Sequence, residues 1–177
     1  MKRKDIKKQI ENYFFQHPTV RLRVRQLERE LKLPLPSIIR YCAELEKERI
    51  CKREKFSGIS TFAADRNSEK YLLEKRLYNI KQLFNSGVID YLVKEYSNPT
   101  ILLFGSYFRG EDTEESDIDL YIQTPSKKEI KLEKFEKVLK RKVQVFQYKN
   151  LKEISNLHVA NNILNGITLH GFVEVFT

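Results

Sequence analysis

Residues 100–123 constrain this chain more than any other stretch. Thr100-Ile101-Leu102-Leu103-Phe104 is an apolar, strand-like run that ends in Gly105-Ser106. After ten intervening residues comes Asp117-Ile118-Asp119, continued by the apolar Leu120-Tyr121-Ile122. Alternate residues of a strand face the same side, so this spacing predicts that Asp117 and Asp119 share a face. Two carboxylates so placed suit Mg²⁺ (or Mn²⁺), a hard cation that shares its coordination sphere with phosphate oxygens. Gly105 allows a backbone amide to come close to a phosphate, and Ser106 offers both an amide and a hydroxyl. A helix starting at Ser106 would aim its N-terminus at the same anion. The plain alternative is a surface acidic loop (Glu111, Asp112, Glu114, Glu115) running into an ordinary strand. The strands on both sides of the motif weigh against it.

The remainder of the chain divides by charge. Of the net +9, residues 1–65 carry 16 Lys/Arg against 9 Asp/Glu, and residues 66–177 carry 17 against 15. A basic first third predicts a polyanion partner for that part. Ile6, Ile10, Tyr13 and Phe14 recur at helical spacing, and Pro18 predicts a helix end near Gln16. Val20, Leu22 and Val24 alternate with Arg21, Arg23 and Arg25, leading into a second helix with Val24, Leu27 and Leu31 on one face. Lys32-Leu33-Pro34-Leu35-Pro36 makes a turn. A third helix carries a buried stripe of Ile38, Ile39, Cys42 and Leu45, with Ser37, Arg40, Tyr41, Glu44 and Lys47 facing outward. Ile50–Phe56 and Ile59–Ala63 flank Ser57-Gly58 and read as a hairpin.

Three helices followed by a basic hairpin resemble the winged helix-turn-helix domains of small prokaryotic transcription regulators. That resemblance implies that residues 1–65 bind duplex DNA, with the third helix in the major groove. Ser37 and Arg40 are the expected base readers, and Arg21, Arg23, Arg25, Lys52, Arg53 and Lys55 the expected phosphate or wing contacts. A winged helix that binds protein instead is the other reading of the same pattern.

Residues 66–97 are expected to be a helical connector. Leu73, Leu77, Ile80 and Phe84 form one apolar stripe, expected to pack on the adjoining domains or, as the alternative, to form a homodimer seam. Val88, Ile89, Leu92, Val93 and Tyr96 form another. Cys42 and Cys51 have no metal-type or disulfide-type spacing and are expected to be structural. No apolar run reaches the roughly 20 residues of a membrane span, so a cytoplasmic protein without a membrane partner is expected.

Residues 98–177 resemble the nucleotidyltransferase superfamily typified by DNA polymerase beta, in particular its minimal bacterial and archaeal members. Gly105, Ser106, Arg109, Gly110, Ser116, Asp117, Ile118 and Asp119 carry the resemblance. It implies that Gly105 and Ser106 grip the triphosphate of a nucleotide, that Asp117 and Asp119 hold the metal and act in catalysis, and that Arg109 neutralises phosphate charge. The fold class implied for the whole chain is α+β: a winged helix-turn-helix, a helical connector and a mixed-sheet nucleotidyltransferase fold. Where the family has a third acid on a later strand, the strand Lys142–Gln147 offers Gln144. Glu136 and Glu153 are the nearby acids that could replace it.

Two functions follow as expectations. One is a DNA-binding enzyme that moves a nucleoside monophosphate from a triphosphate to an acceptor hydroxyl. Related minimal transferases include antibiotic-modifying enzymes and antitoxins that modify a partner toxin, so a protein acceptor is among the candidates. The other is a winged-helix regulator whose transferase-like domain senses nucleotide, or supports assembly, with little turnover.

Overall fold

The computed structural model describes residues 5–173. The chain divides into two compact units, one running through Tyr78 and the other beginning at Asn79. Each has its own core and its own sheet, so the chain is mixed α and β.

The first unit starts with α1 (Ile6–Gln16), capped by Asp5, whose side chain accepts from the Lys8 amide. A two-residue strand β1 (Arg21–Leu22) leads into α2 (Val24–Leu31), and Lys32, in the left-handed region, ends that helix. Pro34 caps α3 (Leu35–Lys47), where Pro36 falls in the first turn and interrupts no hydrogen bond. The hairpin β2 (Cys51–Phe56) and β3 (Ile59–Ala64) completes an antiparallel sheet in the order β1-β3-β2. Its turn is Ser57-Gly58, both with positive φ, the backbone that continues the twist of the flanking strands.

Ile10, Phe14, Phe15, Leu27, Ile38, Cys42, Leu45, Ile50 and Phe62 form the core of this unit. Ile39, expected in the buried stripe of α3, is 53% exposed instead. The buried line runs Ile38, Cys42, Leu45, and at about 100° per residue Ile39 is turned away from it.

The segment expected as a separate connector is shared between the two units. Helix α4 (Glu69–Ser86) places Tyr71 in the first core, where its ring packs on Phe15 and its hydroxyl donates to the Phe14 carbonyl. Leu83, near its other end, lies in the second core. Of the expected stripe Leu73, Leu77, Ile80 and Phe84, Ile80 packs on the second core while Leu73, Leu77 and Phe84 are exposed, and the fully buried positions Tyr71, Asn79 and Leu83 lie on a different face. Gly87, with positive φ, separates α4 from α5 (Val88–Glu95).

The second unit is built on β4 (Thr100–Phe104), β5 (Ile118–Gln123), β6 (Val143–Tyr148) and β7 (Ile167–His170), in the order β6-β5-β4-β7. β4 is antiparallel to β5 and β7, while β6 is parallel to β5 and is reached through α7 (Glu133–Leu139). One face of the sheet (Ile101, Leu103, Ile118, Leu120, Ile122, Val143) packs on Val88, Ile89 and Leu92 of α5 and on Phe135 of α7. The other face (Leu102, Phe104, Tyr121) packs on Ile154 and on Ile163 of α8 (Leu157–Leu164). Alternation within each strand thus fills two separate apolar layers. Among the described residues, no helix is long and apolar enough to cross a membrane.

Candidate functional site

β4 ends at Phe104, which pairs with Asp119 of β5. The chain then turns through Gly105 into the short helix α6 (Gly105–Arg109), which closes at Gly110. Gly105 has φ +74°, and a Cβ built there would collide with Asp119 Oδ2. The backbone angle favours glycine, a Cβ would have to push the Asp119 carboxylate aside, and that carboxylate lies directly against the Gly105 backbone. Helix α6 has five residues. It contributes little dipole, so any anion here must rely on local N–H groups and on a cation.

Asp117 lies just before β5 and is exposed, whereas Asp119 is half-buried within the strand. Burial, and secondarily the charge of Asp117, push the Asp119 carboxyl above its ordinary value, while the Arg109 guanidinium pulls it back. Among the described residues, neither carboxylate accepts a hydrogen bond. Two neighbouring acids without donors, one of them half-buried, fit a divalent cation: it would relieve both the desolvation and the mutual repulsion. Arg109 is partly neutralised by Glu111, at 2.7 Å.

The parallel register pairs Asp119 with Gln144, so their side chains leave the sheet on the same face. Among the described residues, no group of three or more His, Cys, Asp or Glu is placed to hold a metal. Each of the two nearby acids has one carboxylate oxygen engaged by a backbone amide. Glu136 Oε1 accepts from the Val143 amide at 2.9 Å, capping the start of β6. Glu153 Oε2 accepts from the Lys149 amide, and this residue lines a groove with Thr124 and Tyr148, at the opposite end of β5 and β6. A second open groove, of about 550 Å³, is lined by Asp117 together with Glu136, Glu114, Glu133, Lys137 and Lys140 among others.

The loop between α6 and Asp117 is not the uniformly exposed acidic segment considered from sequence. Glu111 and Glu115 are exposed, but Asp112 is buried. The Asn79 amide Nδ2 donates to Asp112 Oδ1 and to the Tyr107 carbonyl, both at 2.8 Å. Arg141 Nη2 stands 4.0 Å from Asp112 Oδ2. Sequence reasoning missed Asn79 and Arg141. Asn79 lies on the buried line Tyr71, Lys75, Asn79, Leu83, whose two polar members hide it from an apolar-periodicity reading.

In the first unit, the basic residues of interest differ in their freedom. Arg21 and Lys52 both bond to Glu54, at 2.9 and 2.8 Å. Those bonds, from Lys52 first and then Arg21, hold the Glu54 carboxyl below its usual range. Arg53 is 3.5 Å from Glu46 and lies over the Phe62 ring. Arg40 stacks on Tyr41 with 4.3 Å between guanidinium and ring centre. Arg23, Arg25 and Lys55 are exposed, Ser37 is half-buried at the start of α3, and Arg25 and Lys55 make no ion pair among the described residues.

A glycine pressed against a half-buried acid, a second acid two residues before it, and a mixed sheet with α-helices on both faces define a class. Residues 86–170 match the family described as "Nucleotidyltransferase domain". The chain belongs to that family. It is 38% identical over 96 residues, half of this chain and 92% of the relative, to a Methanocaldococcus jannaschii protein named "Putative protein adenylyltransferase". No solved structure gave a match.

Proposed function

We propose that the second unit binds a nucleoside triphosphate with Mg²⁺ and transfers its nucleoside monophosphate to a hydroxyl on a protein acceptor. The observation that carries this is the acid pair at Gly105: Asp117 and Asp119, neighbouring and without hydrogen-bond donors, with Asp119 against the Gly105 backbone. Asp117 and Asp119 hold the ion, which when bound screens the phosphate charge and polarises the α-phosphate. The Ser106 amide and hydroxyl hold the terminal phosphates, and Arg109 exchanges Glu111 for phosphate. The acceptor oxygen attacks the α-phosphorus, the bond to the bridging oxygen of the β-phosphate breaks, and pyrophosphate leaves. The acceptor proton passes to solvent, because Gln144 has no basic atom to take it. The name of the archaeal relative favours ATP and a protein acceptor.

Gln144 beside Asp119 favours a second, slower form of the same reading. Without a base, turnover falls by about 10²–10⁴-fold, and the domain then works chiefly as a nucleotide sensor. The test is calorimetry on the full chain with ATP, CTP, GTP and UTP, with and without Mg²⁺, followed by a labelled-nucleotide transfer assay. Metal-dependent binding that disappears in Asp117→Asn/Asp119→Asn is expected. Equal metal-independent binding in that variant sinks the assignment.

For the first unit we propose a winged helix-turn-helix that binds duplex DNA. Its support is the element order, the basic hairpin, and an α3 outer face that offers Arg40 and Lys47 to a groove. Arg25 and Lys55 are the phosphate contacts available at least cost, since Arg21, Lys52 and Arg53 must first give up glutamate partners.

A further inference from the structure

We infer that Asn79 and Asp112 are positioning residues, a buried polar clamp that sets the distance between the Ser106 helix and the loop that delivers Asp117. This rests on the reading of Gly105, Ser106, Asp117 and Asp119 as a nucleotide and metal site.

Asn79 is 2% exposed and Asp112 1%. Burying an amide and a carboxylate is costly, and an apolar pair of similar size would stabilise the fold at least as well. What the polar pair supplies is direction. Asn79 Nδ2 spends one bond on the Tyr107 carbonyl in α6 and the other on Asp112 Oδ1 in the loop. Asp112 Oδ2 faces Arg141, whose side chain is nearly buried in the turn before β6. The next residue, Lys142, accepts at its carbonyl from the amide of Ile118, which lies between the two acids. The connections therefore join the three pieces that carry Ser106, Asp117 and Gln144.

The loop's own bonds are local. Glu111 N–H donates to the Ser106 carbonyl, and Thr113 N–H donates to Ser116 Oγ. These bonds shape the loop, and the clamp sets where it stands relative to α6 and β6. Outer supports of this kind typically change metal affinity by about 10–100-fold when removed.

The test uses the full chain, with Mn²⁺ and ATP as the probe. Asn79→Leu keeps the branched shape in a somewhat larger side chain and removes both donors. The expected result is an apparent Kd for ATP in Mn²⁺ raised about tenfold or more, in a protein that still melts cooperatively. Asp112→Asn keeps an acceptor for Asn79 and is expected to restore most of the affinity that an alanine at 112 loses. Val88→Ala, in the apolar layer under α5, serves as a destabilised control and is expected to lower Tm without moving Kd. Should Asn79→Leu fail to fold, Asn79→Ser leaves one donor in a smaller side chain and is expected to weaken binding in the same direction. Wild-type Kd in the Asn79 variants overturns the inference, as does a Val88→Ala variant that shifts Kd equally. A wild type that binds no ATP with Mn²⁺ overturns the nucleotide-site reading itself and the clamp with it.

Discussion

Asp119 carries a conflict between stability and binding. Its carboxyl is raised by burial and by Asp117, so ionisation at neutral pH works against the fold. A raised acid contributes stability that is complete below its unfolded pKa and is lost as pH rises through its folded pKa. Asp119→Asn should therefore melt higher than wild type near neutral pH without metal, by about 1 kcal/mol or less because water still screens the group. That advantage should vanish as the pH is lowered through the acid's range, as thermal melts across the pH series will show. The same substitution should abolish metal-dependent nucleotide binding. Gln144→Asp runs the other way, adding a third acid opposite Asp119. It should lower apo stability, bind an additional Mn²⁺, and speed transfer by up to about 10²-fold if proton removal limits the step. A variant gaining neither metal nor rate would show that residue 144 does not face the acid pair or that the domain lacks an acceptor site, and would favour the sensor reading. The buried thiols are simpler. Burial lifts Cys42 to about 12 and Cys51 further, and Cys51 Sγ donates to the Cys42 carbonyl. Neither should react with a thiol reagent at neutral pH until the protein is unfolded.

At the scale of elements, helix and strand placement was largely legible. Pro18, Pro34 and Pro36, the Ser57-Gly58 turn and the apolar periodicities mark α1 to α3 and the hairpin. The run 100–123 marks β4 and β5, and counting along Lys142–Gln147 places Gln144 on the face that the register gives it. Periodicity failed where it had to choose among faces. Leu73, Leu77, Ile80 and Phe84 form a good stripe on paper, yet only Ile80 of them packs on a core and α4 buries the line through Tyr71, Asn79 and Leu83, because aromatic and polar partners from distant segments decide the contact. Asp112 was unreadable for the same reason, since Asn79 and Arg141 lie 33 and 29 positions away in sequence. The hairpin makes a further prediction. Lys55→Ala should weaken binding to every duplex and reduce the salt dependence by about 0.9 in the log–log slope. Arg21→Ala should do less, because Arg21 is already held by Glu54 and has less charge to give to a phosphate. Fluorescence titrations at several salt concentrations decide it, and equal slopes for the two variants would contradict the ranking.

For the molecule as a whole, the division at Tyr78 changes which pieces can be studied alone. A fragment ending at residue 65 lacks Tyr71, a fully buried ring that also bonds to the Phe14 carbonyl. Loss of a buried aromatic typically costs about 3–5 kcal/mol, a large part of a small domain's stability. Residues 1–78 should fold and residues 1–65 should be marginal or unfolded, with circular dichroism melts as the measure. DNA binding should follow folding in the two fragments. Indistinguishable melts would mean that the first core is complete without α4.

The contact between Gly105 and Asp119 also has a genetic reading. Every single-base change in a glycine codon that alters the residue introduces a Cβ, and a Cβ at 105 is strained at that backbone angle and must displace the Asp119 carboxylate. In a library selected for nucleotide binding, codon 105 should therefore survive only through silent changes. Codon 39, whose isoleucine stands in solvent, should drift freely under the same selection and yield only to one for DNA.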